Sequence, residues 1–316
     1  MKMTILGKTK IEVSRLCFGT LTIGPIQANL SLEQGSDLIS YAIEKGINFF
    51  DTAQLYETYS YLREGMKKAN KFDIVISSKT YAYTKQMAID AVEQARAELD
   101  RDYVDIFMLH EQESIYTLDG HKPALEYLFE CKQRGIIKAV GLSTHHIQGV
   151  HGSIQKEIEV IHPMLNIEGL GIADGSREEM EQAIQLASEN SIGVFSMKAL
   201  AGGNLFRKAS ECLNYVLAKP YINSIAIGMQ SKAEIDANLE FFEKGSFSRE
   251  NKHVLDKKQR KLHIDDWCIG CGVCVRRCKN KALTINKENK AEVDETKCVL
   301  CGYCCKECKE WCIKVV

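Results

Sequence analysis

The chain has 316 residues, 45% of them hydrophobic, with a formal net charge of −1 and 13 cysteines. That length suits one large domain plus an appendage, and the near-zero charge gives no electrostatic footprint for nucleic acid. No apolar run approaches the roughly 20 residues of a membrane-spanning helix, and the start MKMTILGKTK lacks a signal peptide's apolar core, so the expected location is the cytoplasm.

Eight short β-rich runs follow in chain order: RLCFGT, INFFDT, DIVISSK, VDIFMLH, AVGLST, VIHPMLN, GVFSMK and SIAIGM. Between them lie segments such as SLEQGSDLISYAIEK and REEMEQAIQLASEN, whose apolar residues recur at three and four, the spacing of a helix with one core face. Strands alternating with helices imply a parallel sheet with crossover connections. Eight such units in about 230 residues predict a (β/α)8 barrel, and no GxGxxG follows the first strand to support an open dinucleotide-binding sheet. The barrel is expected over residues 1–242. The charged, weakly periodic stretch 243–263 reads as a linker.

Only Cys17, Cys131 and Cys212 precede residue 268, and the other cysteines crowd between Cys268 and Cys312. In a reducing compartment such density points to metal ligation before disulfides. Cys268, Cys271, Cys274 and Cys278 form CxxCxxCxxxC, and Cys298, Cys301, Cys304 and Cys308 repeat it. Zinc is the plainer alternative, although zinc sites usually separate two CxxC pairs. A second domain is expected over 264–316.

In a barrel, chemistry gathers at the C-terminal ends of the strands. Asp51 closes the second run, Lys79 the third and His110 the fourth, and Tyr56 begins the loop after the second. Singly, each has a bland reading as a helix cap, a solvated cation, a packed imidazole or a surface ring. Together they form a proton-delivery device: a phenol of ordinary pKa near 10 is a poor acid at neutral pH, Lys79 is the cation expected to lower it, Asp51 the counter-charge that holds Lys79, and His110 a hydrogen-bonding group for a carbonyl.

These residues, with the opening TILGKTKIEVSRLCFGT, the DTAQLY segment, SSK, LH, GLST and GMQSKAEIDANLE, resemble the aldo-keto reductase family over roughly residues 1–242. The resemblance implies a barrel that reduces carbonyls with a nicotinamide cofactor, Tyr56 giving the proton. It places Ser143 and Thr144 at the carboxamide with Asn166 nearby, and Met197 where an aromatic ring usually stacks under the nicotinamide. Lys198 falls within reach of the pyrophosphate. Further cofactor contacts are implied at Gly19, Thr20, Leu200, Gln230, Ser231 and Asn238. Gly228 and Glu234 stand where NADP-preferring members carry Lys and Arg, so NAD(H) is expected over NADP(H), with Lys232 as the nearby cation that would moderate the preference.

The cysteine repeat resembles bacterial-type ferredoxins with two [4Fe–4S] clusters, in which the fourth cysteine of each run serves the other cluster. The resemblance implies one cluster on Cys268, Cys271, Cys274 and Cys308, and a second on Cys278, Cys298, Cys301 and Cys304. The Pro that usually follows each fourth cysteine is replaced by Lys279 and Lys309, and Cys305 and Cys312 are extra thiols. The expected function is an oxidoreductase acting on a small carbonyl or alcohol, its clusters exchanging electrons with a protein partner. A redox-sensing or nicotinamide-binding protein with structural clusters is the alternative.

Overall fold

Parallel strands buried on both faces need continuous apolar runs, and each of the eight runs becomes such a strand. The computed structural model describes residues 1–316. A hairpin of β1 (Met3–Ile5) and β2 (Glu12–Ser14) precedes β3 (Leu16–Gly19), β4 (Phe49–Asp51), β5 (Val75–Thr80), β6 (Val104–Leu109), β7 (Ile137–Thr144), β8 (Val160–Pro163), β9 (Gly193–Ser196) and β10 (Ser224–Gly228). β3 to β10 pair in parallel in chain order, and β10 returns to β3 to close the barrel. Helices lie between consecutive strands. Those at Leu32–Glu44 and Arg177–Glu189 start on capping boxes from Ser31 with Gln34 and Ser176 with Glu179, each satisfying orphan amide donors at both ends of its first turn.

Side chains alternate between lumen and helix layer along each strand. Cys17, Phe49, Val75, Ile106, Met108, Ala139, Val160 and Phe195 fill the lumen, and Leu6, Ile11 and Val13 from the hairpin pack beneath them. The Lys8 amide donates to the Ser191 carbonyl just before β9, which fixes the hairpin at the N-terminal end of the barrel. Counting onward in steps of two from these lumen positions reaches Gly19, Asp51, Ser77 and Lys79, His110, Ser143, His162 and Met197. The alternation that packs the lumen therefore aims those side chains into its C-terminal mouth.

The cysteine-rich part holds β11 (Leu262–Ile264), β12 (Leu283–Ile285), β13 (Ala291–Val293) and β14 (Ile313–Val315), with β11 antiparallel to β14 and β12 to β13. Its short helices, Val273–Arg277 and Tyr303–Lys306, each follow a glycine in the left-handed region, Gly272 at φ 72° and Gly302 at φ 77°. The stretch expected as a linker contains a helix, Arg249–Lys257, capped by Ser248 and tied back by Glu240, which accepts from the Ser248 amide at 3.0 Å and from Asn251 at 2.6 Å.

The cysteine-rich part packs on the barrel through one shared apolar cluster that joins Met164, Ala201, Leu205 and Cys212 to Leu262, Trp311, Ile313 and Val315. The loop after β9 is stitched to β14: the Val315 amide donates to the Gly202 carbonyl at 2.9 Å, and Asn204 Nδ2 donates to the Ile313 carbonyl at 3.1 Å. Gly203, at φ 80°, lies so close that an added Cβ would stand 1.9 Å from the Val315 oxygen. Both backbone conformation and space therefore require glycine there. Gly203→Ala is expected to push β14 off the barrel and to cost about 1–3 kcal/mol, read as a lower denaturation midpoint and faster proteolysis within 243–263 in the full chain.

Candidate active site

β4 delivers Asp51 and β5 delivers Lys79 to the mouth of the lumen, where both are almost fully buried. Lys79 Nζ donates to both Asp51 carboxylate oxygens at 2.7 Å and to the Thr52 carbonyl at 2.8 Å. A buried ammonium requires such saturation, because an unpaired charge in this setting costs several kcal/mol. Behind the pair, Thr58 Oγ1 lies 2.7 Å from Thr20 Oγ1 and 2.8 Å from Thr52 Oγ1, and Thr20 also donates to the Asp51 carbonyl at 3.0 Å. This hydroxyl chain locks the loop that carries Tyr56. A single 3₁₀ turn, Gln54–Tyr56, ends at Glu57 in the left-handed region with φ 54° and swings the Tyr56 ring back over the pair. Lys79 Nζ sits 5.0 Å from the ring centroid.

His110 meets the Tyr56 ring edge-on at 5.8 Å and stacks on Tyr81 at 4.3 Å. Burial first, then the cations Lys79 and Lys198, hold its pKa well below that of an ordinary imidazole, so the ring is neutral. Its Nδ1 is buried with no partner in the protein. His162, on the same lumen register of β8, was not singled out from the sequence. It donates from Nδ1 toward the Phe195 carbonyl at 2.7 Å, keeps Nε2 3.7 Å from Asp51, and is pushed down to about 4 by burial. The tyrosine departs from expectation. Burial and the Asp51 charge raise the Tyr56 phenol well above 10. The reason is stoichiometric: Asp51 and Thr52 consume all three Lys79 donors, and the Asp51 charge offsets that of Lys79. The phenol is a fully protonated donor at neutral pH, without the lowered pKa expected from the cation.

A cleft of about 230 Å³ runs from Asp51 and Tyr56 past Gly19, His162, Met197, Lys198 and Leu200 to Gly228, Gln230 and Glu234. It continues into a second cavity of about 330 Å³ that Leu200, Gly228, Glu234 and Asn238 share with Lys252 and Arg260. The other expected contacts also serve the fold. Ser143 Oγ accepts from the Glu111 amide at 2.9 Å, Thr144 Oγ1 exchanges hydrogen bonds with the His146 backbone, and Asn166 makes both its bonds to Leu170. Ser231 caps the helix Lys232–Lys244, and Asn238 donates to the Glu234 carbonyl at 2.8 Å. Lys232 turns away to the Tyr41 ring, 5.0 Å from its centroid, so it is not the cation of this cleft. That place belongs to residues of the expected linker. Lys258 Nζ meets Glu234 at 2.6 Å and Gln230 at 2.8 Å, and Arg260 lines both cavities.

Two further cavities gather the repeated thiols. Cys268, Cys271, Cys274 and Cys308 line one, and Cys278, Cys298, Cys301 and Cys304 the other. Backbone amides point at two of the sulfurs, Ala291 to Cys268 at 3.4 Å and Ala282 to Cys278 at 3.3 Å. Four thiols around a cavity, with amide donors to sulfur, suit a polynuclear cluster. Cys312 lines the first cavity as a fifth thiol, 3.4 Å from Cys308.

The pattern described as the Aldo/keto reductase family matches residues 15–211, more than half of the chain. The chain belongs to the aldo/keto reductase family. A 4Fe-4S binding domain pattern matches residues 263–284, which hold the first cysteine run. L-galactose dehydrogenase of Arabidopsis thaliana is 24% identical over 285 residues, covering 76% of this chain and 87% of that protein. Methylglyoxal reductase of Yersinia pestis is 26% identical over 212 residues, covering 63% and 73%. An aldo-keto reductase of Glycine max is 26% identical over 215 residues, and this chain spans 59% of its length. In structure, an aldo-keto reductase of Bacillus halodurans in its holo form superposes with a TM-score of 0.65 at 21% identity, over 81% of this chain and 96% of that one. At that identity the likeness shows the fold.

Within this family barrel the Asp51–Lys79 pair also bears on stability. Lys79→Met leaves a buried carboxylate unpaired and is expected to cost about 3–5 kcal/mol. Asp51→Asn with Lys79→Met is expected to lose less than the two single changes summed, as measured by a double-mutant cycle of chemical denaturation.

Proposed function

We propose that the protein transfers hydride between a nicotinamide cofactor and a small carbonyl or alcohol, and carries two [4Fe–4S] clusters that exchange electrons with a protein partner. The proposed organisation is a reductase barrel over 1–242, a connector over 243–263 and an iron–sulfur domain over 264–316. The observation that carries the reading is the convergence of Asp51, Lys79, Tyr56 and His110 on one lumen mouth that opens into an elongated cleft.

When bound, the nicotinamide supplies the hydride and the clusters supply one-electron capacity. In this reading Gly19, Met197, Leu200, Gly228, Gln230 and Glu234 wall the cofactor, with Asn238 at its outer end. Tyr56 holds the proton for the carbonyl oxygen, and its raised pKa keeps that proton in place across the neutral range. The proton leaves only as negative charge develops on the substrate oxygen, so the tyrosine acts on the transition state more than on the ground state. Neutral His110 orients the carbonyl, and the Asp51–Lys79 pair fixes the loop that aims the phenol. Cys268, Cys271, Cys274 and Cys308 would hold one cluster, and Cys278, Cys298, Cys301 and Cys304 the other.

Tyr56→Phe is expected to lower kcat for an aldehyde at least about a hundredfold, the usual size of a general-acid contribution, while the Kd for reduced cofactor stays within about twofold. Unchanged turnover would refute the role. Anaerobically purified protein is expected to contain about eight irons per chain. Cys301→Ser should lose about half of that iron, and stoichiometric zinc without iron would overturn the assignment.

For cofactor choice, a 2′-phosphate can recruit Lys258 only by opening its 2.6 Å contact with Glu234, whereas ribose hydroxyls can bond the carboxylate with the pair closed. NAD(H) is therefore favoured by about tenfold, near 1.4 kcal/mol. Glu234→Gln frees Lys258 and should raise NADPH affinity in a fluorescence titration. Tighter NADPH than NADH binding in the unaltered protein would refute the preference.

A further inference from the structure

Three lysines line the cleft: Lys198, Lys258 and Lys314. Lys258 is paired with Glu234 at 2.6 Å, and Lys314 lies 3.6 Å from Asp265. Lys198 has no carboxylate within salt-bridge distance. Its Nζ has one polar partner, Nε2 of His145, at 2.8 Å. As an ammonium it donates to that nitrogen, which leaves His145 neutral. The backbone of Lys198 is left-handed, with φ 58°, a conformation that non-glycine residues seldom adopt. From there the side chain reaches His145 in the loop after β7.

The groups around Nζ come from every side of the mouth. Glu111 follows β6, but one of its oxygens accepts from the Tyr81 hydroxyl at 2.6 Å and the other is 3.8 Å from His145 Nε2. His145 follows β7, and His110 and Lys79 lie on the tetrad side. From the cysteine-rich part, the Trp311 ring centroid lies 5.9 Å from Nζ, with Lys314 and its partner Asp265 close by. Burial, then repulsion from Lys314, brings the Lys198 ammonium down to about 7. An unpaired cation in such a place is under-satisfied, and an arriving anion supplies both the missing charge and the missing hydrogen bonds.

We infer that Lys198, held in place by His145, forms a carboxylate-binding site in the cleft that Tyr56 also lines, so that the substrate is an oxo acid whose carboxylate lies beside its reactive carbonyl. The inference rests on the proposed carbonyl reduction. The balanced step is R–CO–COO⁻ plus hydride from the reduced nicotinamide plus the Tyr56 proton, giving R–CHOH–COO⁻ and oxidised nicotinamide. The hydride forms the new C–H bond, the carbonyl π-bond breaks toward oxygen, and the tyrosine is reprotonated from solvent. Lys314 and Val315 of the cysteine-rich part line the same cleft as Lys198, so the substrate site lies at the seam between the two parts of the chain. The cofactor pyrophosphate presents the same anionic chemistry, and the experiment separates the two sources.

The probes are phenylglyoxylate and its uncharged methyl ester, with the full-length anaerobic protein. Lys198→Met is expected to raise KM for the acid at least about tenfold, while the ester KM and the NADH Kd stay within about twofold and Lys198→Arg restores part of the loss. In the unaltered protein, KM for the acid should rise above about pH 7 as the ammonium deprotonates, with no such rise for the ester. Equal losses for acid and ester, or a loss confined to NADH affinity, overturn the inference, the latter assigning Lys198 to the pyrophosphate. Isothermal titration with phenylglyoxylate in the presence of NAD⁺ gives a readout without turnover. Lys198-dependent binding with neither compound reduced would sustain this site and sink carbonyl reduction, and Lys198-independent binding would sink the site.

Discussion

The mouth of the barrel is organised by one constraint: an ammonium sits where no water can solvate it. Lys79 is 1% exposed and satisfied only by Asp51 and the Thr52 carbonyl. Both carboxylate oxygens are consumed by that task, which draws β4 and β5 to one register, and Thr52 is fixed in turn by the hydroxyl chain through Thr58 to Thr20. The Tyr56 loop hangs from this network. With the three Lys79 donors spent on Asp51 and Thr52, burial and then the Asp51 charge raise the pKa of the phenol above the pair.

A second dependence runs through β14. Cys312 and Ile313 line the first thiol cavity, while Lys314, Val315 and Val316 line the cleft. One short strand is therefore a wall of both. Its ladder to β11 and the Val315 amide bond to Gly202 are backbone interactions, which tolerate side-chain variation but not displacement, and Asn204 adds a side-chain donor to the Ile313 carbonyl. A strand shift of one residue would exchange the faces of Lys314 and Val315, burying the wrong side chain against the shared core. The register of β14 is thus fixed by the barrel and the thiol cavity together.

Much of this was legible in the sequence because barrel strands are the elements that apolar runs encode most directly. All eight runs became strands, and period-two alternation from buried residues such as Phe49 and Met108 aims Asp51 and His110 into the mouth. The same count, applied to β8 from Val160, reaches His162. The helix Arg249–Lys257 escaped because its apolar positions are sparse and its stability comes from Ser248 and Glu240 caps. Lys258 and Arg260 are visible only in three dimensions: the sequence offers Lys232 as the cation near Glu234 on its own helix, whereas the cation arrives from a segment more than 20 residues later. The direction of the Tyr56 shift was equally hidden, since sequence names the charges but not which donors are already spent.

The joining of the two parts at β14 constrains how they influence each other. Hydride moves two electrons and an iron–sulfur cluster moves one, so the chemistries do not interlock by proximity alone. The packing, by contrast, is shared. Movement of Ile313–Val315 would carry the Gly202–Asn204 loop through the Val315–Gly202 and Asn204–Ile313 hydrogen bonds, and would shift Trp311 and Lys314, the groups that flank Lys198. Because cores repack between discrete arrangements and do not deform smoothly, a change at the thiol cavities large enough to move β14 must alter the shape and charge of the cleft. A free-standing iron–sulfur domain tethered by a flexible linker would impose no such condition.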